Sequence, residues 1–193
     1  KPIVKSGSII VGDLVNELLH QGNDVIVITF VDKQKKAYQI SNEGKLKIIR
    51  IRLLSRKYGR IGRLFAELRY SREVIKLIRS HSDIKCDAII CYSPSIFYGK
   101  ALDWLKNKHN SKVYLIVRDI FPRWALDAGI IKKGFLYNYF KLVESVLYKS
   151  ADIIGIEAKN DLNYFKNYGL NGLTNVEVLN NWGSTISMKN DSS

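Results

Sequence analysis

The stretch CDAIICYSPSIFYGKALDWLKNKHNSKVYLIVRD, residues 86–119, decides the fold. An apolar, β-branched run (86–92) gives way to a stretch of helical period (95–108) and then to a second apolar run (112–119). Runs nearly continuous in Val, Ile and Leu belong to parallel strands covered on both faces, and parallel neighbours are joined by right-handed crossovers. The same alternation extends outward in both directions. Strands are expected at 24–30 (DVIVITF), 45–51 (KLKIIRI), 152–157 (DIIGIE) and 176–182 (VEVLNNW), and helices at 8–20, 60–80, 134–149 and 158–168. The pattern predicts an α/β chain with a doubly wound, mostly parallel sheet in a single domain over residues 1–183, followed by a polar tail at 184–193. The runs at 24–30 and 45–51 are separated by a polar loop containing QISNEGK, so no crossover helix is expected between them. Only KPIVKSG precedes the first helix, where such a domain ordinarily begins with a strand. That strand is expected to be absent or reduced, as in a fragment or a domain with an altered edge.

Of the 193 residues, 46% are hydrophobic and 25% charged, which excludes a disordered or collagen-like chain. The net charge of +13 is unevenly placed. Residues 1–44 are neutral, residues 45–85 carry thirteen basic and three acidic side chains, and residues 86–193 carry thirteen and ten. The basicity therefore belongs to one segment. No apolar run reaches the ~18–20 residues that span a bilayer, and no long apolar region follows a charged start. Cys86 and Cys91 point to opposite faces of a strand, so buried free thiols are expected and a reducing, cytosolic setting suits them.

Missing motifs narrow the chemistry. There is no G-x-x-x-x-G-K-[ST], no G-x-G-x-x-G and no G-x-S-x-G, which removes a Walker loop, a dinucleotide fingerprint and a nucleophile elbow. His20, His81 and His109 each fall near the end of an expected helix, where a solvated or dipole-stabilised ring is the plain reading. Two Cys and three His show no zinc-ligand spacing, so no metal is expected.

Ligands of open α/β sheets sit beyond the carboxyl ends of the strands. Three segments reach that edge. Lys5, Gly7 and Ser8 precede or open the first helix, where free N–H groups and the helix dipole favour an anion such as a diphosphate. Ser93 and Ser95 leave one strand for the next helix, as site hydroxyls or as helix caps. The third is VRDIFPRWALDAGI, residues 117–130. Arg118 and Asp119 end an apolar strand, and Phe121, Pro122 and Trp124 follow in one loop. The charged pair is either a structural bridge beneath an aromatic plug or a pair waiting for a ligand.

Three stretches together resemble the N-terminal half of retaining glycosyltransferases of family four, which have the two-domain GT-B fold. SGSIIVGDLVNELLHQGNDVIVIT is similar to the family's glycine loop, first helix and G-H-x-V-x-V-x-T opening, with Asn23 in place of its histidine. IVRDIFPRWALDAGII is similar to the His/Arg-Asp-Leu-Trp-Pro loop of members that assemble bacterial polysaccharides. SADIIGIEAKNDLNYFKNYGL with VEVLNNWGS is similar to the approach to the interdomain hinge, here around Asn180–Trp182. The nearest flavour is the L-fucosamine transferase group of O-antigen and capsule synthesis. The resemblance implies a Rossmann-like acceptor domain whose cleft Arg118 and Asp119 border. Arg118 stands where many members have a donor-contacting histidine, so that role does not carry over. The E-x7-E signature is not in these 193 residues, and the nucleotide-sugar donor would be held mainly by a C-terminal GT-B domain. This half alone is not expected to turn over, and its catalytic residues are not assigned.

Ile61, Leu64, Leu68, Ile75 and Ile78, with Ser71 in step and Phe65 and Val74 beside them, form one face of an amphipathic helix. Arg56, Lys57, Arg60, Arg63, Arg69, Arg72, Lys76 and Arg79 lie in or just before it, and a solvated face is their bland use. Basic amphipathic helices also lie on anionic membrane, each cation near the surface contributing about 1 kcal/mol. The resemblance implies a lipid-diphosphate-linked sugar acceptor and peripheral placement at the inner face of the plasma membrane. A stand-alone basic module binding a polyanion, nucleic acid or partner protein is the alternative, although no nucleic-acid-reading motif is present.

Overall fold

The computed structural model describes residues 6–31, 34, 36–52, 66–93, 95–166, 168, 175–180 and 182. Their helices are α1 (Ser6–His20), α2 (Tyr70–Ser80), α3 (Gly99–His109), α4 (Arg123–Asp127), α5 (Phe135–Ser150) and α6 (Leu162–Lys166). Their strands are β1 (Val25–Val31), β2 (Tyr38–Glu43), β3 (Leu46–Arg52), β4 (Ala88–Ser93), β5 (Lys112–Val117), β6 (Ile153–Ile156) and β7 (Asn175–Val178). The α/β class and the mostly parallel strands are as the sequence pattern predicts.

The sheet is built in two sections, where one was expected. β4, β5, β6 and β7 pair in that order, all parallel. β1 pairs parallel with β3, whose other edge takes β2 antiparallel. No backbone pairing joins β1 to β4 among the described residues. Side chains link the sections instead. Ile26 and Ile28 of β1, Ile49 and Ile51 of β3, Val74, Leu77 and Ile78 of α2, Ala101 and Leu105 of α3, and Ile89 of β4 form one apolar cluster. A second cluster gathers Leu102 of α3, Leu115 of β5, Ile154 of β6, and Phe140 and Leu147 of α5. Helix α3 therefore serves both cores, packed between α2 and α5. At the carboxyl ends, Phe30 stacks on Tyr70 at 4.3 Å and Tyr70 on Tyr98 at 5.0 Å, closing the seam with aromatic rings.

The expected 60–80 helix is described from Ala66 on, its first six positions lying outside the described residues. Ala66 and Glu67 are helical, Leu68 and Arg69 make a turn in which the Arg69 N–H donates to the Ala66 carbonyl at 3.1 Å, and α2 runs on from Tyr70. Its buried face is Ser71, Val74, Leu77 and Ile78, so the apolar stripe is rotated from the expected one: Leu68 is exposed and Leu77 buried. Ile61, Leu64 and Phe65 lie outside the described residues. Ser71, in step with the expected stripe, anchors the buried face. Its hydroxyl donates to the Phe97 carbonyl at 2.6 Å and accepts the Ala101 N–H at 3.1 Å, satisfying a donor in the first turn of α3 that has no partner within its own helix. Ser71→Ala is expected to cost about 1–2 kcal/mol, read as a lower urea midpoint at unchanged slope.

Candidate functional site

The parallel register aligns the strand ends. Ser93 of β4 lies opposite Val117 of β5, Val117 opposite Ile156 of β6, and Ile156 opposite Val178 of β7. The next residues, Arg118 and Glu157, therefore stand side by side on the carboxyl edge. Their side chains form an ion pair, each about a quarter exposed, and the Arg118 guanidinium lies 5.8 Å from the centre of the Tyr92 ring. The bridge that the sequence suggested between Arg118 and Asp119 is thus made to Glu157, while Asp119 is exposed at the mouth. Glu157 escaped the sequence reading because nothing in its spacing ties it to a residue 39 positions earlier. One signal was available: the apolar runs of β5 and β6 both end on a charged residue at the same sheet edge.

The loop after β5 packs as a plug on one side and stays open on the other. Pro122 is fully buried, and the Phe121 ring meets Phe140 of α5 at 4.9 Å. Trp124 remains 46% exposed, and Arg123 pairs with Asp127 one turn on at 2.7 Å. On the other side of β6, the Leu179 N–H donates to the Ile156 carbonyl at 2.8 Å, and the Trp182 indole N–H reaches the Ile10 carbonyl of α1 at 3.1 Å. The segment expected to approach a hinge thus lies against the first helix. Gly7 and Ser8 fall inside the first turn of α1, which starts two residues earlier than expected, and Lys5 lies outside the described residues.

Ser93 is not an open hydroxyl at the edge. It is buried and donates to the Ser95 carbonyl at 2.6 Å. Ser95 takes the capping role, accepting from the Phe97 N–H at 3.5 Å and donating to Glu67 at 2.8 Å. Burial pushes the Cys91 thiol up to about 12, so it supplies no thiolate near neutral pH. Both cysteines are free. His81 stays a helix-end ring, its Nδ1 3.0 Å from the Leu77 carbonyl, and burial, with Lys108 and Lys85 nearby, lowers the pKa of His109. Among the described residues, no group of three His, Cys, Asp or Glu side chains could hold a metal ion.

The basic helix borders an open groove between α2 and α3, lined by Arg72, Lys76, Arg79 and Lys100 together with Leu68, Ser71, Ile75 and Ser80. Among the described residues, no carboxylate lines it. Arg69 is drawn to Glu73 at 3.4 Å, and Arg79 also lies 5.4 Å over the Trp104 ring. Arg56, Lys57, Arg60 and Arg63 lie outside the described residues. The site so drawn can do two things chemically. Arg118 presents a guanidinium already held by a carboxylate, which a phosphate can displace, and the groove offers four cations to a polyanion.

No protein-family model matches the chain, and no curated protein matches it. Among solved structures it is similar to an alpha,alpha-trehalose-phosphate synthase (UDP-forming) from Burkholderia vietnamiensis, at 11% sequence identity and a TM-score of 0.52. The match covers 82% of this chain and 40% of that one, so the chain spans well under half of that protein's length. At such an identity the likeness is one of fold, and the chain takes the α/β architecture of a Rossmann-like domain of GT-B type.

Proposed function

We propose that the chain is the acceptor-side domain of a nucleotide-sugar-dependent retaining glycosyltransferase of bacterial capsule or O-antigen synthesis. The observation that carries this reading is the Arg118–Glu157 pair at the aligned carboxyl edge of a domain with GT-B-like architecture. In the reaction the anomeric carbon of the donor leaves its nucleoside diphosphate and joins an acceptor hydroxyl, whose proton is given up. The nucleotide-sugar would lie between this edge and a C-terminal GT-B domain. A lipid-diphosphate-linked sugar is the acceptor. Lys5, Gly7 and Ser8 seat a diphosphate beside α1, and Arg69, Arg72, Lys76 and Arg79 meet the acceptor's diphosphate or the inner leaflet. Arg118 exchanges Glu157 for a phosphate oxygen when ligand arrives.

Titration of the purified protein with farnesyl diphosphate and with UDP tests the reading. Arg118→Ala and Arg72→Glu are each expected to weaken diphosphate binding by about tenfold or more, the loss of one charge-assisted contact. Glu157→Gln should leave binding intact or strengthen it, because it frees the guanidinium. Stability should change by less than about 1 kcal/mol in Arg118→Ala, since the pair is partly solvated. Diphosphate binding that ignores both cation variants overturns the proposal. Tight preference for one RNA or DNA sequence favours the basic binding module instead, a reading that the carboxylate-free groove also accommodates.

A further inference from the structure

Helix α5 has two apolar faces. Phe140, Glu144, Leu147 and Tyr148 are buried against the core. The other face is open: Phe135 is 90% exposed, Leu142 69%, Leu136 51%, Val146 42% and Tyr139 40%. Positions 135, 139, 142 and 146 recur at helical spacing and make a stripe about 16 Å long. Isolated apolar side chains are normal on a surface, but a contiguous row on one helix marks a docking face.

The charges around the row decide what docks. Lys132 and Lys133 are exposed just before the helix, and Lys149 is exposed in its last turn, so cations stand at both ends. The one carboxylate in α5, Glu144, is fully buried. Lysines at a helix N-terminus face the positive end of the dipole, so helix stability does not account for Lys132 and Lys133. The carboxylate-free groove of Arg72, Lys76, Arg79 and Lys100 lies across α3 from this helix. An apolar row closed by lysines, in a chain of net charge +13, complements an anionic lipid surface.

We infer that the outer face of α5 is a bilayer-docking surface. Phe135, Leu136, Tyr139 and Leu142 enter the boundary between headgroups and acyl chains, and Lys132, Lys133 and Lys149 meet anionic headgroups. The inference does not depend on sugar transfer, so it stands or falls separately from the glycosyltransferase reading.

Co-sedimentation of the protein with phosphatidylcholine vesicles, with and without phosphatidylglycerol, tests it. Binding is expected to require the anionic lipid and to weaken with salt. Phe135→Ser and Leu142→Ser alter only exposed positions, so circular dichroism should not change. Each should lower partitioning by about tenfold, the contribution of one inserted side chain. Lys132→Glu with Lys133→Glu should weaken the preference for phosphatidylglycerol. Serine variants that bind vesicles as the parent does overturn the inference. So does a concentration-dependent dimer, seen by sedimentation velocity, that Leu142→Ser dissolves while vesicles capture nothing: the face would then belong to a second copy of the chain.

Discussion

Gly99→Ala is expected to destabilise the domain by about 2 kcal/mol or more, lowering its melting temperature by roughly 5 °C. Helix propensity alone argues the other way. Gly99 has ordinary helical backbone angles at the start of α3, and alanine in a helix is favoured over glycine by about 1 kcal/mol. Packing reverses the sign. A Cβ at Gly99 would lie 2.6 Å from the Leu147 nitrogen, 2.7 Å from the Leu147 Cα and 2.8 Å from the Val146 carbonyl carbon. These are backbone atoms of α5, and no rotamer change moves them. The two helices must separate, and α3 is the element that both apolar clusters share, so the disturbance reaches both sections of the sheet. Gly12→Ala is the control. A Cβ at Gly12, within α1, meets no atom within 4 Å, and the substitution should stabilise by up to about 1 kcal/mol. Thermal melts of the two variants should therefore move in opposite directions. A Gly99→Ala melt that rises with the control would show that α3 and α5 are not in backbone contact.

Where the hydrophobic period was strong, the fold was legible. Apolar runs identified six of the seven strands among the described residues, because parallel strands covered on both faces leave little else to infer. β2 was missed since YQISNE carries no such period; it is held by antiparallel pairing with β3, a partner the local sequence does not reveal. Helix α5 was placed almost to the residue, yet FLYNYFKLVESVLYKS has more apolar positions than one buried face takes up, so its period could not say which of them are buried. The site was half legible for a related reason. Arg118 announces itself as a charge ending an apolar strand, whereas its partner Glu157 is set by the register of β5 against β6. The same limit hid the polar cluster around Glu144, whose partners arrive from a segment 20 and 24 residues further on.

Removing the Glu144 carboxylate is expected to destabilise the domain as much as truncating a large core side chain. Glu144 has no solvent exposure. Its Oε2 accepts from Lys141 Nζ at 2.6 Å and from the Tyr168 hydroxyl at 2.9 Å, and its Oε1 accepts from the Tyr164 hydroxyl at 2.8 Å. The ammonium lies over the Tyr168 ring at 4.0 Å and the Tyr164 ring at 4.8 Å. Burial first, and then the Glu144 charge, push both phenols far up, so they remain neutral donors at any working pH. One buried acceptor thus gathers three donors and fastens the α6 segment, which leads toward β7 and the Trp182 contact, onto α5. Glu144→Ala leaves an ammonium and two phenols facing a void, and about 3–5 kcal/mol should be lost. Glu144→Gln keeps the volume but turns an NH₂ donor toward other donors, so a smaller loss of about 2 kcal/mol is expected. Replacing the whole cluster separates desolvation from packing: Lys141→Met, Glu144→Leu, Tyr164→Phe and Tyr168→Phe together should recover most of what Glu144→Ala loses, because no polar group is then buried without a partner. Urea unfolding of the three proteins measures the series. A Glu144→Ala loss below about 1 kcal/mol would mean that water already reaches the cluster and that the clasp between α5 and α6 does not bear on stability.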